Sequence, residues 1–321
     1  MKAAQVVAPR QIEIVETDTP DLSQRLAGSV LVKTHKVSLC GSDMPMFALD
    51  FSPASYPLTP GLFTHECIGV IAESNSDRFK EGDEVLSVPR GAGGYADYYV
   101  SDETSTVPLP AFDHKDHILM AQPLGTLICA CRKLPNVINQ DVVVVGQGSI
   151  GLLLSHLLSN LGAKTVIAVD LLDYRLAVSS QMGATHTINA SKESPLALVA
   201  DITKGRMADL VVEVVGHQTQ TVNHCLKLAK QNGTVLAFGV PDEPVYDFDF
   251  SEFFRKNIRF MASVGPDAQV DYALAIDMIA QGRINVAPII THHLPFAEAQ
   301  RGYELSLNKE DGAIKVVFDF D

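Results

Sequence analysis

The run Asp141-Val142-Val143-Val144-Val145-Gly146-Gln147-Gly148-Ser149-Ile150-Gly151 decides the fold of the middle of the chain. Its four consecutive valines do not alternate with polar residues, which is the pattern of a strand covered on both faces, as in a parallel sheet. Gly146, Gly148 and Gly151 then fall in G-x-G-x-x-G spacing, and Ile150 to Leu161 repeats apolar residues at helical spacing. A strand entering such a turn and leaving it as a helix is the context in which this pattern carries chemistry. Gly146 permits the tight turn, Gly148 lets the backbone approach a pyrophosphate, and Gly151 lets helix and strand pack closely. With Ser149 and Ile150 they open a helix whose free N–H groups and dipole favour an anion. Asp170 ends the next strand about twenty residues further on, where a carboxylate accepts the adenosine ribose hydroxyls and repels a 2′-phosphate. These residues predict an NAD site. Arg175 is the nearby side chain that could answer a phosphate instead, and Asp170 has a helix N-cap as its alternative role.

Outward from this run, strand and helix alternate. Thr165 to Asp170, Leu210 to Val215, Gly233 to Gly239 and Ile258 to Ala262 read as strands, while Leu172 to Met182 and Thr219 to Ala229 read as helices. That alternation means βαβ units on a parallel sheet. The first third differs: Ser29 to Val37, Cys67 to Glu73, Glu84 to Val88 and Tyr95 to Val100 are short β-rich runs punctuated by glycine and proline, suggesting a small barrel or sandwich. The tail carries a helix, Val270 to Gln281, and two strand-like pieces. A chain of 321 residues holds two such domains.

Composition narrows the function. With 25 basic and 38 acidic residues the net charge is −13, which repels phosphate backbones, so no nucleic-acid partner is expected. No stretch is long and apolar enough to span a bilayer, and the N-terminus lacks a signal-peptide pattern, so a cytoplasmic protein without membrane partners is expected. Five scattered cysteines, an odd number, fit a reducing compartment rather than a disulfide framework.

Two short motifs offer metal chemistry. Cys40-Gly41-Ser42-Asp43 follows a β-rich run, and His65-Glu66 follows later. Thiolate, imidazole and carboxylate are zinc-ligand types. Asp43 is placed to orient His65 through its second ring nitrogen, as zinc-bound histidines require. Cys67, Cys129 and Cys131 read as structural. His292-His293 lies in a strand, so the two rings face opposite ways and cannot chelate one ion. Met44, Met46, Phe47 and Phe51 are either packing residues or pocket walls, and no G-x-S-x-G elbow suggests a hydrolase.

Together these motifs resemble the medium-chain dehydrogenase/reductase superfamily, in its zinc-dependent alcohol and polyol dehydrogenase branch. The resemblance runs through Met1-Lys2-Ala3-Ala4, the Cys40 and His65 motifs with Gly69, Gly82-Asp83-Glu84-Val85, Gly94 to Tyr98, Gln122-Pro123-Leu124, the dinucleotide turn, Glu213 to Gly216 and Leu294 to Ala299. It implies an α/β protein with a GroES-like β-barrel catalytic domain (1–122), a doubly wound Rossmann domain (123–262) and a C-terminal return to the first domain (263–321). The active site would lie in the interdomain cleft. Cys40 and His65 would be zinc ligands, with Glu66 as third ligand or exchanging with water. Ser42 would pass on the substrate proton, and Lys315 would reach the cofactor pyrophosphate.

The sequence departs from the family pattern at several positions. Gln122 stands where a carboxylate or thiolate third ligand is usual, and would leave the zinc about +1 by formal counting if it coordinates. Pro45 replaces a proton-relaying histidine, and Thr64 a glycine. The four-cysteine lobe of a structural zinc is missing, so one catalytic zinc and no structural zinc are expected. The implied function is hydride transfer between an alcohol or polyol, or its carbonyl, and NAD, in a homo-oligomer. A zinc-free quinone or enoyl reductase and a non-catalytic nucleotide-binding protein are the alternatives.

Overall fold

A computed structural model describes residues 1–23, 25–49, 53–61, 64–216, 220–241 and 243–320. The chain divides into two compact units, Met1–Gly125 with Pro266–Asp321, and Thr126–Gly265. Each junction falls three residues after the boundary expected from sequence.

The second unit is a six-stranded sheet. In space its strands run His186–Asn189, Thr165–Asp170, Asp141–Val145, Ala208–Glu213, Ala229–Ala237 and Arg259–Ala262. All neighbours are parallel. Numbered along the chain this is the order 3-2-1-4-5-6, whose reversal between the first and fourth strands is the crevice where doubly wound sheets bind dinucleotides. Val142, Val143 and Val144 are fully buried, as their unbroken apolar run requires. The helix Ser149–Asn160 covers the sheet with Leu152, Leu153, Leu154, Leu157 and Leu158. The strand expected at 233–239 begins earlier, at Ala229, because Ala208 pairs with Ala229 before a register shift. The helix expected from Thr219 is described as Thr221–Leu228, and Thr219 itself lies outside the described residues.

The first unit is built on a sheet ordered Ile290–Pro295, Lys315–Asp319, Ser29–Ser38, Glu66–Ser74, Glu84–Ser87 and Thr106–Pro108, with Tyr98–Asp102 also on Ser29–Ser38. Its core joins both segments of the chain. The Tyr95 ring packs against Phe296, Tyr303 and Phe318, and Phe47 packs against Tyr303. The antiparallel register pairs Ser38 with Glu66 and Val37 with Cys67, so Cys40 and His65 leave their strands at the same end. The tail helix expected at 270–281 opens with a π-helical turn, Ala268–Tyr272, before the α-helix Ala273–Ala280.

Candidate active site

Cys40 precedes the short 3-10 turn Gly41–Asp43, and the Asp43 carboxylate folds back to accept the Cys40 backbone N–H at 2.8 Å. The same buried carboxylate lies 3.2 Å from Nδ1 of His65. This leaves Nε2 of His65 as the ring nitrogen for a metal, the carboxylate–histidine arrangement that fixes a ligand's orientation. One donor atom from each of Cys40, His65 and Glu66 lies within 4.8 Å of the others. Burial opposes the charged form of His65, but its hydrogen bonds to Asp43 and Cys40 outweigh this and raise its pKa to about 11. In the metal-free protein an imidazolium therefore bridges the two acceptors, and a dication entering there displaces a proton. The set fits zinc by donor chemistry: thiolate, imidazole and carboxylate, with the histidine braced from behind. Ser42 sits on the same turn, half-buried.

Glu66 is fully buried and charge-compensated. Lys315 Nζ donates to both of its carboxylate oxygens, at 2.9 and 2.7 Å, and to the Leu39 carbonyl at 2.8 Å. The Ser38 hydroxyl also donates to Glu66. Burial alone would lower the Lys315 pKa, but the charges of Glu66 and Cys40 outweigh it and the pKa is raised. An ammonium has three donors, all three are used, and the side chain is completely enclosed.

Gln122, on the helix Ala121–Cys131, is buried and donates Nε2 to the Tyr272 hydroxyl at 3.2 Å. Pro45 occupies the first turn of the helix Met44–Ala48, where its missing N–H costs nothing. Phe47 belongs to the core and Met44 and Met46 pack against it, while Phe51 lies outside the described residues. Cys67 is buried in the same core, and burial pushes the Cys131 thiol up to about 12. His292 turns to Thr291 and Asp311 and His293 to Asp116, so the pair shares no ion.

At the dinucleotide turn, Gly146 has φ +98°. A Cβ on Gly151 would stand 1.9 Å from the Gly146 carbonyl oxygen, whereas one on Gly148 would meet nothing within 4 Å. Gly146 and Gly151 are thus required by the turn and its packing. A Cβ at Gly148 would instead project into open space at the N-terminus of the helix Ser149–Asn160, so glycine there serves close backbone approach rather than packing. Asp170 accepts the backbone N–H groups of Gln147 (2.6 Å), Leu171 (2.7 Å) and Leu172 (3.0 Å). It is not the N-cap itself, which is Leu172, but it ties the glycine turn to the start of the helix Asp173–Gln181. Arg175 Nη1 lies 3.8 Å from its carboxylate. Two further side chains, Gln147 and Glu213, support this turn. Gln147 accepts the Ser155 and Ser179 hydroxyls and donates to the Val144 carbonyl. Glu213 accepts the N–H groups of Val215 and Gly216. Gln147 lies inside the glycine motif at a position open to any residue, so only its burial reveals it.

Two segments of the chain match family models. Residues 149–281 match the family described as zinc-binding dehydrogenase, and residues 26–111 the alcohol dehydrogenase GroES-like domain. The chain belongs to the zinc-dependent medium-chain dehydrogenase/reductase superfamily, and is an oxidoreductase that uses a nicotinamide cofactor and zinc. It is similar to the L-threonine 3-dehydrogenase of Bacillus velezensis, with 26% identity over 90% of this chain and 91% of that protein. It is 28% identical to the L-threonine 3-dehydrogenase of Bacillus licheniformis, over 90% of this chain and 91% of that protein. Among solved structures, alcohol dehydrogenase TADH from Thermus sp. ATN1 aligns over 100% of both chains with TM-score 0.89 and 25% identity. Among the described residues, no helix is long and apolar enough to cross a membrane.

Proposed function

We propose that the protein oxidises a small secondary alcohol or polyol with NAD, through a single catalytic zinc held by Cys40 and His65. The observation that carries this reading is the convergence of Cys40, His65 and Glu66 donors with Asp43 bracing the imidazole. When bound, zinc supplies Lewis acidity that lowers the pKa of a substrate hydroxyl, and the nicotinamide takes up the hydride. Ser42 would take the hydroxyl proton while releasing its own to a neighbouring acceptor such as water, since Pro45 has no group to relay it.

The charge of the site follows from its neighbours. Because Lys315 neutralises Glu66, the pair adds nothing to the formal count, and a zinc dication with the Cys40 thiolate stands at about +1 whether Glu66 or Gln122 is the third ligand. That charge favours the ionised form of an alcohol. Gln122 is the alternative third ligand: its amide nitrogen donates to the Tyr272 hydroxyl, which leaves its carbonyl oxygen as the atom that would meet a metal. Asp170, which accepts from three backbone N–H donors with Arg175 drawn toward it, favours the two ribose hydroxyls of NAD over a 2′-phosphate.

The reading is tested by assaying L-threonine, simple secondary alcohols and sugar alcohols with NAD and NADP, with zinc measured on the same sample. Expected are one zinc at this site, NAD-linked turnover of at least one substrate, and loss of both zinc and turnover in Cys40→Ser. Full turnover in a zinc-depleted Cys40→Ser protein would overturn it.

A further inference from the structure

We propose that the first unit carries a second, separate site for a divalent transition-metal ion of the zinc type, formed by His114, Asp116, His117 and His293. One donor atom from each of His114, Asp116 and His117 lies within 4.8 Å of the others. The His114 and His117 rings stack with centroids 4.9 Å apart, and His293 Nε2 lies 3.6 Å from the Asp116 carboxylate. None of the four belongs to the catalytic set.

The local sequence explains the clustering. His114 is the residue before the helix Lys115–Leu119 and His117 comes three later, a spacing that stacks side chains on one face of a turn. His293 lies on the strand Ile290–Pro295, whose alternation sends His292 to Asp311 and His293 to Asp116. Lys115, the adjacent cation, is paired with Glu84 and does not cover Asp116. Imidazole and carboxylate donors select zinc, nickel, cobalt or copper over magnesium and calcium. Ligands of a tetrahedral ion at about 2.0–2.2 Å stand roughly 3.5 Å apart, so His114, Asp116 and His117 close on an ion with movements of about 1 Å, and His293 joins them from its contact with Asp116 by a larger rotation. His114 and His293 are exposed and Asp116 and His117 half-buried, so rotamer changes of these side chains supply such movements. The ion would tie the 110–120 segment to the strand contributed by the returning segment, closing the first unit across its two pieces of chain.

The test is calorimetric titration of the zinc-retaining holoenzyme, freed of loose metal, with zinc sulfate. The expected result is one further equivalent bound by the wild type, weakened about 10–100-fold in His114→Ala/His117→Ala and at least tenfold in His114→Gln. Cys40→Ser should lose the catalytic equivalent and keep this one. Unchanged far-UV dichroism and NADH fluorescence enhancement confirm that the histidine variants are folded, and His114→Gln, at an exposed position, carries the test if the double variant is not. No further equivalent up to millimolar zinc, an unweakened equivalent in folded His114→Gln, or loss of the further equivalent in Cys40→Ser overturns the proposal.

Discussion

Replacing Lys315 by methionine leaves the Glu66 carboxylate without its cation while retaining a side chain of similar length. Glu66 has no solvent exposure, and in the variant its one remaining side-chain donor among the described contacts is the Ser38 hydroxyl. The carboxylate can escape this by taking up a proton. Protonating at pH 7 a carboxyl that in water titrates near 4.3 costs about 3.7 kcal/mol, at 1.36 kcal/mol per unit. That figure falls within the roughly 3–5 kcal/mol measured when one partner of a buried pair is removed. Lys315→Met should therefore lose about 3–4 kcal/mol at pH 7. The loss should shrink with acidity, because the proton becomes easier to supply: at pH 5.5 the same arithmetic leaves about 1.6 kcal/mol. Adding Glu66→Gln should restore much of the loss at pH 7, since it removes the uncompensated charge. The assay is urea unfolding followed by far-UV dichroism at both pH values for the wild type, the single and the double variants. A loss under about 1 kcal/mol at pH 7, a deficit independent of pH, or a double variant no more stable than Lys315→Met would refute the reasoning.

Three further outcomes are expected. Gly151→Ala drives a methyl carbon to 1.9 Å from the Gly146 carbonyl, so it should cost about 1–3 kcal/mol or more and abolish NADH binding, read by NADH fluorescence enhancement, while zinc content is kept. Asp170→Asn removes the charge that repels a 2′-phosphate and frees Arg175, and should raise the ratio of kcat/KM for NADP to that for NAD by about tenfold or more, with some loss of stability from the weakened turn. His65 is held protonated up to a pKa of about 11 in the metal-free protein, so the stability it gains from Asp43 and Cys40 is full below its unfolded value near 6.5 and is lost as pH rises through 11. Between those values each zinc ion displaces the His65 proton, and apparent zinc affinity should rise about tenfold per pH unit from this group alone, measurable as proton release in weak buffer and diminished in Asp43→Asn.

What was legible in the sequence was local. The valine run, the three glycines and Asp170 lie within thirty residues, and each has a backbone reason for its identity, so both the parallel sheet and the glycine turn that opens its helix could be read directly. Cys40 with Asp43, and His65 with Glu66, are likewise within three residues of each other. What could not be read was pairing across the chain. Lys315 and Glu66 are 249 residues apart, Gln122 and Tyr272 are 150 apart, and no periodicity marks either contact. The family resemblance points Lys315 toward a pyrophosphate, and nothing local in the sequence shows that its three donors meet Glu66 and the Leu39 carbonyl.

The returning segment makes the chain's end part of the site's electrostatics. Lys315–Asp319 is an interior strand, between Ile290–Pro295 and Ser29–Ser38, with Val317 opposite Ser38. It therefore supplies both the hydrogen bonds that hold the strand leading to Cys40 and the ammonium that compensates the carboxylate beside His65. Terminal residues usually fray and tolerate deletion, but that holds where the backbone is unpaired and the side chains are exposed. Here Val316, Val317 and Phe318 are buried and Lys315 is wholly enclosed. Deleting residues 315–321 should thus remove a central strand and leave Glu66 uncompensated at once. The expected result is a first unit that neither resists proteolysis nor retains zinc, and a truncated protein that kept its zinc at full occupancy would show that the Cys40 and His65 strands hold their register without the returning segment.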